Sequence, residues 1–265
     1  MKFNQVFTTG PACSPSRTAL ATGVYQTTLG AHHMRYSKEL SPALPKPVKV
    51  LPELMRENGY YTGNIKNVGG TGSGKDDWLF KITGKAWDTP SWGELVKHQP
   101  FFAQINSRQS HRGFSSAKHV SKENIELPPY YPDHPVTRND WAGYFGSVNK
   151  FDAQVGEILK KLEADHLDEN TIVCVFSDHG RPMIRGKNWL YDSGTRIPLI
   201  IYYPKNVKKP DGYQTGKEHS ELLSSVDLVA ETVLMGGGSI PGWMQGRSFL
   251  QNDSSPRQYI HTAVD

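Results

Sequence analysis

A chain of 265 residues with 37% hydrophobic and 21% charged residues can bury a sizeable core and has neither a disordered nor a fibrous composition. Its net charge of +4 comes from scattered basic residues, with no run long enough to argue for a nucleic-acid face, and no stretch approaches the ~18 apolar residues of a membrane span. The two cysteines, Cys13 and Cys174, are too few for a disulfide framework or a zinc cluster.

Phe3 to Phe7 alternates apolar and polar residues, a strand-like entry. Turn residues follow at Gly10-Pro11 and Ser14-Pro15-Ser16, and Ser16 to Gly23 reads as a helix with Ser16 as its cap and Gly23 as its stop. Cys13 then lies just ahead of a positive helix end. Val50 to Met55, with Gly59 beyond, reads as a helix, Tyr60 to Ile65 as a strand, and Gly69 to Gly74 as a flexible loop. Pro100 to Asn106 is an expected buried strand opening into Gln109-Ser110-His111-Arg112, and the Pro- and Tyr-rich residues 114–139 read as a long excursion. From Asn139 to Ala164 apolar residues recur at helical spacing. The β-branched run Thr171 to Phe176 predicts a central parallel strand covered on both faces. Arg196 to Tyr203 predicts another buried strand, and Ser224 to Leu234 a helix starting at Ser224 or Ser225. Strands alternating with helices imply an α/β fold with a mostly parallel central sheet, and chemistry gathered at the carboxyl ends of its strands.

One motif stands apart. Cys13-Ser14-Pro15-Ser16-Arg17, followed by Thr22-Gly23, fits the pattern C-x-P-S-R-x-x-x-x-T-G at every fixed position. The chain resembles the sulfatase family, in particular its sulfamidase-like and polysaccharide-sulfatase branch, in the alkaline-phosphatase-like superfamily. The resemblance implies that a formylglycine-generating or anaerobic maturation enzyme oxidises Cys13 to formylglycine (3-oxoalanine). The hydrated aldehyde would attack sulfur with one hydroxyl, activated by a divalent metal, and the other would expel the sulfate. Arg17, one helical turn on, would hold negative charge there.

Further segments follow in the family's order. Asp178-His179-Gly180 resembles the metal-binding Asp-Asn/His-Gly, so Asp178, His179 and Cys13 are the expected metal set. Carboxylate oxygen suits Ca²⁺, whereas the imidazole of His179 suits softer divalent ions. Lys187, ahead of Leu190-Tyr191, resembles the sulfate-binding lysine, and Gly194 to Ile201 resembles the family strand that follows it. His111 resembles the histidine that binds sulfate or protonates the leaving oxygen. Gly74-Lys75-Asp76-Asp77-Trp78 makes Lys75 the second lysine, with Lys66 as competitor. His32 and His33 resemble a substrate-lining pair after the signature helix.

The resemblance covers nearly the whole chain, but not the family's opening strand with its paired aspartates nor most of its smaller C-terminal subdomain. Residues 1–265 are therefore expected to be one partial catalytic domain, a fragment inactive or weak by itself. Met1 to Phe7 lacks the apolar core of a signal peptide, and the longer parent is expected in the periplasm or outside the cell. The expected function is hydrolysis of a sulfate ester on a small molecule or oligosaccharide. The alternatives are phosphonate or phosphodiester hydrolysis with the same machinery, or non-catalytic binding of a sulfated glycan.

Overall fold

Strand β1 (Lys2–Phe7) buries Phe3 and Val6, the positions its alternating sequence turns inward. On one side it pairs antiparallel with β5 (Arg196–Tyr202), Phe3 opposite Leu199 and Val6 opposite Ile197. On its other side lie the two-residue strands β6 (Glu218–His219) and β7 (Leu223–Ser224), both parallel to it. β4 (Val173–Phe176) runs antiparallel to β5 at the end of the sheet, whose order is β4-β5-β1-β6. A second sheet is a parallel pair, β2 (Tyr61–Ile65) with β3 (Phe101–Ile105), in register over five residue pairs. These elements come from a computed structural model that describes residues 1–34, 40–114, 118, 120–251 and 256–264.

Among the described residues six helices flank these strands: α1 (Cys13–Thr22), α2 (Leu51–Glu57), α3 (Trp92–Leu95), α4 (Pro135–Ala164), α5 (Asp192–Thr195) and α6 (Ser225–Met235). The main core joins Phe3, Val6, Ile197, Leu199 and Ile201 of the larger sheet to Leu228 of α6 and to Leu250. Fully burying each such side chain is worth about 1.5–3 kcal/mol. The outer flank of α6, through Val229, Ala230 and Val233, packs on Leu54 of α2 and on Met244. A third cluster, Ile65, Trp92, Leu95, Leu162 and Leu167, fastens the small sheet to the end of α4, where the Trp92 indole N–H donates to Asp165 at 2.7 Å.

The α/β class and the central sheet flanked by helices are as expected, but the strand directions are more mixed. β4 is an end strand antiparallel to its neighbour rather than a central parallel one. A continuous apolar run reports burial on two faces and carries no information on strand direction. The edge of β4 away from β5 meets a cleft of about 2240 Å³ whose wall includes residues of both β3 and β4. Ser16 is not a helix cap. α1 begins at Cys13, with Ala12 as its N-cap residue, because Pro15 fits a first helical turn that needs no N–H from it. Gly23 ends α1 in the left-handed conformation, as read.

Two buried acids, Asp227 and Glu231, hold the chain end onto α6. Asp227 forms an ion pair with Arg257, and Glu231 accepts the N–H groups of Phe249 and Leu250 at 2.9 and 3.2 Å. No helix among the described residues is long and apolar enough to cross a membrane.

Candidate active site

The site forms where the first turn of α1 meets the loop after β4. Cys13 is the first residue of α1 and is 2% exposed. Its Sγ lies 3.0 Å from Lys187 Nζ and 3.3 Å from His179 Nε2. Burial by itself raises a thiol pKa, and the Asp178 charge adds to that. The hydrogen bonds with His179 and Lys187 outweigh both and hold Cys13 at about 6. The helix amino end adds a positive partial charge in the same direction.

The loop is built to deliver its side chains. Ser16 Oγ donates to the Asp178 carbonyl and accepts from Thr8 Oγ1 at 2.9 Å. At Gly180 an added Cβ would stand 2.1 Å from the Ser193 carbonyl oxygen, so only glycine lets this loop close on α5. Asp178 Oδ2 accepts Arg17 Nε at 2.9 Å. Burial pushes the Asp178 pKa up, yet the charges of Arg17, His179 and Lys75 bring it below the usual carboxylate range. Arg17 also donates to Asn106 Oδ1 at 2.7 Å and to the Lys75 carbonyl at 3.3 Å. Burial lowers the His179 pKa, while the Cys13 thiol and the Asp178 charge raise it further, for a net rise.

The sulfatase pattern implies a divalent metal, and the donors can be tested for it. One atom each from Cys13, Asp178 and His179 lie within 4.8 Å of one another. His179 Nδ1 sits 2.8 Å from the Gly180 carbonyl, which can only accept, so Nδ1 carries a proton and Nε2 is left as the ligating nitrogen of the neutral ring. With Cys13 as the thiol, one sulfur, one nitrogen and one carboxylate suit a borderline divalent cation; a formylglycine at this position would replace the sulfur with oxygen and move the set toward harder ions. A hard ion such as Ca²⁺ takes six to eight oxygens, and within this group only Asp178 offers a carboxylate.

The other expected residues gather less tightly. Lys75 and His111 line the same cleft as Cys13. Lys75 Nζ is paired with Asp77 at 2.8 Å, and exposed His111 contacts the Arg112 carbonyl at 3.1 Å. Lys66 also lines this cleft. His32 and His33 pack ring against ring at 4.4 Å between centres, tilted by 36°, and His32 lines a separate cavity of about 170 Å³ beside Ala12 and Asn188.

Sequence reasoning missed Asn64 and Asn106. Asn64, 1% exposed, takes a hydrogen bond from Asn106 at 3.1 Å and donates to Asp76 at 2.8 Å. Together they brace Arg17 from the side of the small sheet. Their signal was position alone, since both lie at or just beyond the carboxyl end of a parallel strand.

An ammonium and a protonatable imidazole thus face Cys13 directly, and the Arg17 guanidinium stands behind them on Asp178, a grouping suited to negative charge at the Cys13 position. The Sulfatase family model matches residues 1–94 and 89–235. An "Ulvan-active sulfatase" of Formosa agariphila is 31% identical over 99% of this chain and 51% of its own length; the chain thus spans about half the length of the curated relatives it matches. A solved 2-O GAG sulfatase superposes with a TM-score of 0.68 at 21% identity, covering 98% of this chain and 69% of the other. A phosphonate monoester hydrolase from Silicibacter pomeroyi gives 0.61 at 17% identity, covering 96% of this chain and 70% of the other. These neighbours share the alkaline-phosphatase-like fold. On its signature motif, its fold and the matched residues, the chain belongs to the sulfatase family.

Proposed function

We propose that this chain carries catalytic machinery for hydrolysing a sulfate ester on a carbohydrate. The observation that carries the reading is the convergence of Lys187 and His179 on Cys13, with Arg17 and Asp178 locked behind them. Cys13 is the residue converted to formylglycine, which supplies a hydrated aldehyde as nucleophile. A divalent cation, held through Asp178 and His179, supplies Lewis acidity; Ca²⁺ fills the role where further oxygens complete its shell.

The chain's own residues do the rest. Lys187 neutralises charge on the sulfate oxygens as the ester bond breaks, and its fixed place beside Cys13 spares reorganisation in the transition state. Arg17 keeps Asp178 ionised and in position. His111, exposed in the cleft, donates a proton to the leaving oxygen. Lys75, held at the cleft wall by its pair with Asp77, is the second lysine of the set and would reach the sulfate by exchanging that partner for it. His32, at the separate cavity beside Ala12, and its neighbour His33 would meet only a part of the saccharide that reaches past the Cys13 cleft. Sulfated polysaccharides are met in the periplasm or outside the cell, where we place the reaction.

The test is sulfate release from a sulfated oligosaccharide by protein co-expressed with a formylglycine-generating enzyme, compared with Cys13→Ala. Release that depends on Cys13 supports the reading. Release above background that is equal in Cys13→Ala contradicts it, and faster turnover of an aryl phosphodiester than of an aryl sulfate makes the chain a phosphoryl hydrolase instead.

A further inference from the structure

The turn that delivers Lys187 also carries two guanidinium groups with no part in the reading above. Arg17, Arg112, Arg138 and Arg257 are each paired with an aspartate. Among the described residues no carboxylate pairs with Arg181 or Arg185. Aromatic rings hold them instead. Arg181 lies over the Trp141 ring at 5.0 Å, and Arg185 lies 4.9 Å from the Tyr130 ring centre and 5.2 Å from that of Tyr191. Arg181 also donates to the Tyr130 hydroxyl at 2.5 Å, while its buried Nε has no acceptor. A ring face attracts a cation but carries no net charge to cancel it. Both arginines therefore keep their full charge for a ligand.

The backbone fixes this placement. Arg185 has φ +60°, a left-handed conformation that costs a non-glycine residue roughly 1 kcal/mol. A Cβ on Gly186 would lie 2.0 Å from the Arg181 carbonyl oxygen, and that carbonyl accepts the Lys187 N–H at 2.8 Å. The wound turn thus points Lys187 at Cys13 and leaves Arg185 exposed two residues away. Arg181, Arg185, Tyr130 and Tyr191 line the same cleft as Cys13. Tyr130 and Tyr191 are 38% and 50% exposed, leaving ring surface that suits the apolar C–H face of a pyranose.

We propose that Arg185 and Arg181, with the rings of Tyr130 and Tyr191, form a subsite for a second acidic group on the saccharide whose sulfate ester sits at Cys13. The proposal rests on the sulfated-carbohydrate reading and narrows it to substrates with two anions, the second being a uronate carboxylate or another sulfate. Both suit a guanidinium fork.

Calorimetric titration tests it without turnover. The probes are N-acetylglucosamine 6-sulfate with one anion, a monosulfated disaccharide bearing a uronate, and a disulfated disaccharide without one. The wild-type protein is expected to bind both two-anion probes more tightly than the first, and the tighter of the two names the second group. In Arg185→Gln that preference falls about tenfold, the loss of a charged hydrogen bond. Arg185→Lys keeps the charge without the planar fork and falls in between. Arg185 is exposed, so these variants test binding rather than folding, and an unchanged melting temperature verifies this. A preference unaltered in the Arg181→Gln/Arg185→Gln double variant overturns the subsite alone. Wild-type protein that binds none of the sulfated probes overturns both the subsite and the reading beneath it.

Discussion

Two cysteines in one chain meet opposite fates. Cys13 opens a helix, touches an ammonium and an imidazole, and its thiol is held down at about 6. Cys174 lies within β4 among apolar side chains, where burial, and then the charge of Glu231, pushes its thiol up to about 12. Cys13 is buried and Cys174 half-buried, and both line the same cleft, so access to water does not account for the contrast. The difference lies in what faces the sulfur: donors that stabilise a negative charge at one, hydrocarbon at the other. The acids repeat the contrast. Asp178 is grouped with a thiol and an imidazole at a cleft, whereas Asp227 is closed off by Arg257 and backbone N–H groups and holds the fold.

The sharpest way to break this contrast is to delete each sulfur. Cys13→Ala should lower sulfate release by at least about a thousandfold, read as initial rate on protein of matched fold. Reactivity should separate the cysteines next. In protein made without the maturation enzyme, iodoacetamide should label Cys13 at least about a hundredfold faster than Cys174 at pH 7. The Cys13 rate should rise with pH through about 6 and then level off, because the thiolate is the nucleophile and its folded pKa lies below the ordinary value. Cys174 should label slowly, with a rate still climbing at pH 9, and a Cys13 rate that climbs in the same way would break the contrast. Lys187→Met should reduce kcat/KM about tenfold to a hundredfold and move the Cys13 labelling curve to higher pH, since it removes one of the two hydrogen bonds to sulfur. The smallest effect is Cys174→Ser, which puts a hydroxyl where hydrocarbon surrounds it. It should cost about 1–3 kcal/mol of stability, seen as a lower melting temperature, with sulfate release per folded molecule retained.

The elements most legible in the sequence were those whose signal is local. The run Cys13 to Arg17 is contiguous, and Asp178, His179 and Lys187 follow a strong apolar strand in the order the sulfatase resemblance implies; it was that resemblance, with the order of elements, that grouped them with Cys13. Asn64 and Asn106 were not legible. An asparagine at a strand end looks like any turn residue until two strands pair in register and aim both at Arg17. Ser16 looked like a cap because its type favours that role, but tertiary contact uses its hydroxyl on the Asp178 loop. The direction of β4 was hidden for a similar reason, since side-chain burial is the same whichever way a neighbouring strand runs. The Arg181 and Arg185 pair was passed over because its partners, Tyr130 and Trp141, come from the excursion and from α4, distant in sequence.

Everything chemical in this account depends on Cys13 being the aldehyde precursor. The direct measurement is the mass of the tryptic peptide containing it, from protein co-expressed with a formylglycine-generating enzyme and alkylated before digestion. A peptide about 18 Da lighter than the free-thiol form, trapped by an aldehyde-reactive hydrazide, is the predicted result. A peptide found wholly as the alkylated cysteine, under conditions where the same enzyme converts a control sulfatase, would contradict it.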